Sequence, residues 1–127
     1  MVRDIMLKNV VTAKENITIE AAITMLHRKH IGSVLITDNE GKCLGIFTER
    51  DAIRTIAQKI PLDTPLKEVM TREVHAIEES ASFAEVKMFV VSRGIRHVPV
   101  IGRDGKLVGL LSIRGFLDEI FGVKNQL

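Results

Sequence analysis

Tryptophan and tyrosine are absent from this 127-residue chain, and cysteine occurs once. A lone Cys43 cannot form an intramolecular disulfide, which fits a reducing compartment, so a cytoplasmic location is expected. There is no CxxC pair, and Cys43 reads as core filler rather than a nucleophile. No apolar run approaches the roughly 18 residues needed to span a bilayer. The N-terminal MVRDIMLKNVV has no signal-peptide core, so no membrane role is expected. An excess of one charge is also missing: 18 basic residues against 16 acidic leave a net +2. The two signs are interleaved and build no dense basic stripe for a phosphate backbone, so nucleic acid is not an expected partner. His27 and His30 lie three apart on a helical stretch, but neither they nor His75 and His97 complete a metal-ligand set. No GxSxG nucleophile turn occurs. No metal, cofactor or catalytic constellation is expected, and the chain does not read as an enzyme.

What the chain does have is a repeat. Residues 2–56 align without a gap over residues 66–120, at an offset of 64. Identical pairs include Met6/Met70, Val10/Val74, Glu15/Glu79, Ile31/Ile95, Val34/Val98, Gly41/Gly105, Gly45/Gly109 and Arg50/Arg114. Conservative pairs include Thr18/Ser82, Ile19/Phe83 and Thr48/Ser112. Such self-similarity takes precedence over other readings. Apolar residues make up 46% of the chain, enough for an aliphatic core. A half of about 60 residues is marginal alone, so the halves are expected to share one. The segment 57–65, with Pro61 and Pro65, reads as a linker. It divides the chain into domains at 1–60 and 61–127.

Each half reads in the same order. A short apolar segment (10–13 or 74–77) precedes an amphipathic helix. Thr18 or Ser82 can cap that helix, Ser82 forming a capping box with Glu85. Ile19, Ala22, Ile23 and Leu26 recur at helical spacing, as do Phe83, Val86 and Val90, with Lys87 interrupting the second stripe. Met25 and Met88 read as core or interface filler. Strands are predicted at 33–37 and 43–47, and again at 97–101 and 107–111. The turns DNEGK and GRDGK each carry a glycine where a positive φ is wanted. A last helix begins after Thr48 or Ser112, with apolar Ile53, Ile56 and Ala57 matched by Leu117, Ile120 and Phe121. The fold class is therefore α/β (α+β), two β-α-β-β-α repeats. They are expected to pack face to face about a pseudo-twofold axis, with a cleft on either side.

The segments GIFTERD (45–51), RHVPVIGRDGKLVGLLS (96–112) and the paired DIM and EVM starts at 4–6 and 68–70 resemble the cystathionine-β-synthase (CBS) domain. Two copies in register resemble the tandem pair called a Bateman module, over essentially the whole chain. The resemblance implies a regulatory module that binds an adenosine-containing ligand in the clefts between repeats. AMP, ADP or ATP is favoured over S-adenosylmethionine.

Thr48-Glu49-Arg50-Asp51 sits at a predicted strand-to-helix junction. On structure alone, Thr48 caps the helix and Asp51 bonds back to the cap, where an acid also suits the helix dipole. The same geometry serves a nucleoside: a carboxylate accepts two ribose hydroxyls, and a helix start meets phosphate oxygens. The resemblance matches Thr48 and Asp51 to the family's (Ser/Thr)-x-x-Asp motif, with the Asp on ribose. In the second copy Ser112 matches Thr48, but Gly115 replaces Asp51. The two clefts are therefore expected to be unequal, the Asp51 cleft being the better nucleoside site. Arg96 and His97 are expected near phosphate, and Arg50 and Arg114 near the cleft mouths. The bland alternatives are a solvated strand edge for the first pair and surface ion pairs for the second. The resemblance also implies that His75, Ala76, Ile46 and Pro99 line the adenine end of the stronger cleft. Thr12, Ser33, Ser112 and Arg114 belong to the weaker one. Exposed apolar helix faces are expected to drive homodimerisation, with signalling to a separate, unidentified regulated protein. The alternative is a ligand-independent dimerisation or protein-interaction module.

Overall fold

The computed structural model of the chain describes residues 1–72, 74–93 and 97–112. Two three-stranded sheets with covering helices make an α+β architecture. The first sheet runs β1 (Thr12–Ala13), β2 (Ser33–Thr37) and β3 (Cys43–Thr48), with α1 (Ile19–Lys29) crossing between β1 and β2 and α2 (Glu49–Ala57) following β3. The second runs β4 (Ile77–Glu78), β5 (His97–Ile101) and β6 (Leu107–Ser112), with α3 (Phe83–Arg93) as the crossover. In each sheet the first pair is parallel and the second antiparallel. This matches the predicted element order. The helix expected after Ser112 lies outside the described residues.

Local chemistry explains the elements. Thr18 Oγ1 accepts the Ala21 N–H at 3.1 Å and starts α1, and Ser82 Oγ accepts the Glu85 N–H at 3.2 Å at the start of α3. α1 stops where His30 turns left-handed at φ 52°. The hairpin turns place Gly41 at φ 85° and Gly105 at φ 83°, a region costly for residues with a side chain. Asp38 Oδ1 accepts the N–H groups of Glu40 and Lys42, and these bonds, chiefly that from Lys42, lower its pKa from the ordinary 3.8.

Packing divides the described residues into one compact unit within Val11–Val74 and another of Met1–Val10 together with those from His75 to Ser112. The leading segment of each sequence repeat therefore packs on the strands of the other repeat. In the first unit, Leu66, Val69 and Met70 from the segment after the linker join Ile19, Ala22, Leu26, Val34, Ile36 and Phe47 in the core. In the second, Val2 joins Ala81, Val86, Val98, Val100 and Leu111. Val2 and Leu66 are equivalent in the repeat and both are fully buried. The linker is itself structural: the carbonyls of Thr64 and Leu62 accept the first N–H groups of α1, from Ile19 and Glu20, each at 3.0 Å.

Each leading segment also covers a strand edge. Thr71 and Ile46 exchange two backbone bonds of 2.9 Å along β3, and Leu7 and Leu110 exchange bonds of 2.8 and 3.0 Å along β6. Unpaired edges invite association with other chains, and these bridges close them locally. Two equivalent glycines permit the approach. A Cβ on Gly45 would lie 2.8 Å from the Thr71 carbonyl oxygen, and one on Gly109 would lie 2.9 Å from that of Leu7.

The buried face of α2 is not its apolar one. Asp51, Ala52 and Thr55 are buried, whereas Ile53 is 70% and Ile56 58% exposed. On α3, Val86 is buried while Met88 and Val91 are exposed.

Gly45→Ala should destabilise the chain by about 1–3 kcal/mol, the usual cost of overpacking. The change should appear as a lower urea midpoint with an unchanged m-value.

Candidate ligand-binding site

β3 ends at Thr48, which is also the N-cap of α2, so the predicted strand-to-helix junction is present. The capping box is complete. Thr48 Oγ1 accepts the Asp51 N–H at 3.2 Å, and Asp51 Oδ2 accepts the Thr48 N–H at 2.9 Å. The Thr48 hydroxyl also lies 3.1 Å from Asp51 Oδ2. At the same helix start, the Glu49 N–H donates to the Gly32 carbonyl at 3.1 Å. The N–H groups of Glu49 and Asp51 are thus already used within the protein.

Two residues that the sequence reading did not single out complete the cluster. Arg54 Nη2 donates to Asp51 Oδ1 at 3.1 Å and to the Val69 carbonyl at 3.0 Å. The Thr71 hydroxyl lies 3.3 Å from Asp51 Oδ1 and 3.5 Å from Oδ2. Beneath them, the Thr55 hydroxyl donates to the Asp51 carbonyl at 2.8 Å. Asp51 is only 8% exposed, and a carboxylate that deep needs such partners. Two signals could have found them. Arg54 is one helical turn from Asp51, within reach for an ion pair. Across the repeat, Asp118 stands for Arg54 and Leu7 for Thr71, so both depart along with Asp51.

The other candidates fall into the two units. With Thr48 and Asp51 lie Ile46, buried and paired with Leu35, and Arg50, exposed on α2. Ser33 is buried directly opposite Thr48, and Thr12 is exposed on β1 opposite Leu35. In the other unit, His97 opens β5 opposite Ser112, and Pro99 is buried opposite Leu110. His75 is exposed and meets Phe89 edge-on, with ring centres 6.3 Å apart, and Ala76 is half-buried. Arg96 and Arg114 lie outside the described residues. Ile46 alternates with Phe47, and Pro99 with Val98 and Val100, so both project from the sheet face opposite the helix-packed core.

Cys43 is half-buried with Sγ 3.5 Å from the Gly45 carbonyl, and burial pushes its thiol pKa up. This is the reverse of what a nucleophilic cysteine needs. Among the described residues no helix is long and apolar enough to cross a membrane.

The CBS domain family model matches residues 2–58 and again 66–122. The uncharacterized protein MJ1225 of Methanocaldococcus jannaschii is 34% identical over 116 residues, which is 91% of this chain and 41% of that relative's length. The CBS domain pair of protein MJ0100, solved in complex with 5′-methylthioadenosine and S-adenosyl-L-methionine, is similar with a TM-score of 0.85. It is 30% identical, over 96% of this chain and 95% of that one. The CBS domain protein PAE2072 from Pyrobaculum aerophilum, complexed with AMP, also gives a TM-score of 0.85. It is 25% identical, with 96% and 98% of the two chains covered.

Asp51→Ala should cost about 1–3 kcal/mol, because the Thr48 N–H and Arg54 lose their acceptor, and Asp51→Asn less, because its amide oxygen still accepts the Thr48 N–H. Chemical denaturation of the two variants beside the parent chain measures the difference.

Proposed function

Since this chain belongs to the CBS domain family, its two repeats forming a CBS domain pair, we propose that it is a regulatory module sensing an adenosine-containing ligand. AMP, ADP and ATP are favoured over S-adenosylmethionine. The observation that carries the reading is the Thr48–Asp51 pair at the strand-to-helix junction, with the carboxylate held in place by the capping box. A vicinal ribose diol donates two hydrogen bonds, and a pre-oriented carboxylate accepts both with charge assistance. Arg96 and His97, with Arg50, supply donors for phosphate in this reading, and Ile46 and Pro99 supply apolar surface for the base. AMP in the Pyrobaculum protein and two adenosine-containing sulfur compounds in the MJ0100 domain pair support this ligand class. Gly115 takes the place of Asp51 in the second repeat, so one strong site per chain follows. Occupancy is read by a separate regulated protein.

Calorimetric titration with AMP, ADP, ATP and S-adenosylmethionine tests the proposal. Binding below millimolar is expected for at least one nucleotide, near one per chain. Asp51→Asn should weaken it at least about tenfold, the worth of a charge-assisted hydrogen bond. Unchanged affinity in that variant, or no binding below millimolar, overturns the reading.

A second reading, a ligand-independent dimerisation module, is favoured by the exposed Ile53 and Ile56 of α2. Apolar side chains so placed gain from covering by a second copy. Sedimentation should show a dimer that Ile53→Lys weakens at least tenfold. A monomer at tens of micromolar, as a rough scale for a weak association, removes this reading.

A further inference from the structure

A carboxylate offers about four acceptor positions, and those of Asp51 are occupied. Oδ2 receives the Thr48 N–H at 2.9 Å and faces the Thr48 hydroxyl at 3.1 Å. Oδ1 receives Arg54 Nη2 at 3.1 Å and faces the Thr71 hydroxyl at 3.3 Å. A ribose diol therefore has to replace donors already there. The Thr48 groups belong to the helix cap, and the Thr48 hydroxyl oxygen is itself held by the Asp51 N–H. The donors able to leave are the side chains of Thr71, whose contacts are the longest, and of Arg54, which keeps the Val69 carbonyl as an alternative acceptor. The Asp51 side chain is 11% exposed and that of Arg54 44%, so the arginine lies on the solvent side of the ion pair.

The repeat supplies a second, independent argument. The glycine cradle and the backbone bridge are present in both units, Gly45 with Thr71–Ile46 and Gly109 with Leu7–Leu110. Where the first unit has Asp51, Arg54 and Thr71, the repeat offers Gly115, Asp118 and Leu7. A leading segment is thus seated on its strand edge without a hydroxyl at the Thr71 position. The polar trio is therefore an added hold on that segment, beyond the bridge that seats it in both units. It occurs where the carboxylate occurs.

We infer that Thr71 and Arg54 form a donor gate over Asp51, which a ribose diol displaces, so that ligand binding loosens residues 66–71, the covalent lead into the second repeat. This rests on the ribose reading of Asp51. Ligand and segment compete for the same oxygens, so the coupling is negative and reciprocal: whatever holds the segment weakens the ligand, and the converse. Thr71 and Arg54 are positioning residues in this scheme.

The test uses the full chain with AMP as probe, comparing the parent with Thr71→Val, Arg54→Met and Asp51→Asn. Thr71→Val keeps the shape and removes the hydroxyl. It should tighten AMP by about 3- to 10-fold, the worth of one net hydrogen bond. Arg54→Met should act in the same direction. In the parent, AMP should speed amide exchange at Met70 and Thr71, whose N–H groups bond to the Leu66 and Ile46 carbonyls. In Thr71→Val that exchange should already be faster than in the parent and should respond little to AMP. If AMP binds the parent in an Asp51-dependent way but leaves these amides unchanged, the gate is overturned and the ribose reading stands. The gate also falls if both variants fold cooperatively yet bind AMP no more tightly than the parent. If AMP does not bind the parent, or Asp51→Asn binds it equally well, the ribose reading fails and the gate falls with it.

Discussion

Residues 66–71 lie directly on β3 because position 45 has no side chain to hold them off. A backbone carbonyl 2.8 Å from where a Cβ would stand leaves no room for even a methyl group. From that one contact follow the bridge between Thr71 and Ile46, the burial of Leu66, Val69 and Met70, and the delivery of the Thr71 hydroxyl to Asp51. Position 109 repeats the arrangement for Leu7 and the burial of Val2. Each unit is completed by a segment that precedes the other repeat's strands in the chain. A half cut at the linker would therefore lack part of its own core, which agrees with the marginal burial available to a domain of about 60 residues.

Asp51 is where folding and the proposed ligand chemistry meet. A buried carboxylate is tolerated only when donors replace its lost hydration. Here the donors come from three sources: the cap at Thr48, the next helical turn at Arg54, and the segment at Thr71. The capping reading and the ligand reading of the Thr48–Asp51 pair do not compete over geometry, because both need the carboxylate held in one orientation. They compete over hydrogen bonds, since the oxygens that would meet a ribose are already satisfied.

The unequal repeats give the module a direction. Scaffold features are kept twice: the glycine cradles, the hairpin glycines and the strand registers. The charged chemistry at the strand-to-helix junction is kept once, with Asp51 and Arg54 answered by Gly115 and Asp118.

The sequence by itself determined the repeat, the order of strands and helices, the caps at Thr18 and Thr48 and the positive-φ glycines at 41 and 105. These depend on residues a few positions apart, and local hydrogen bonding leaves a signature in residue type. It also displayed the loss of the carboxylate at Gly115, because an ungapped repeat aligns position with position. Tertiary structure alone decided three things. It decided which face of α2 is buried, where Asp51 and Thr55 go inward and Ile53 and Ile56 outward against the apolar pattern. It decided that the leading segments cross over to complete the opposite cores, since a glycine at 45 or 109 does not announce which backbone will approach it. It brought Thr71 within reach of Asp51, 20 residues away in sequence, because convergence at that separation is set by packing and leaves no periodicity to read.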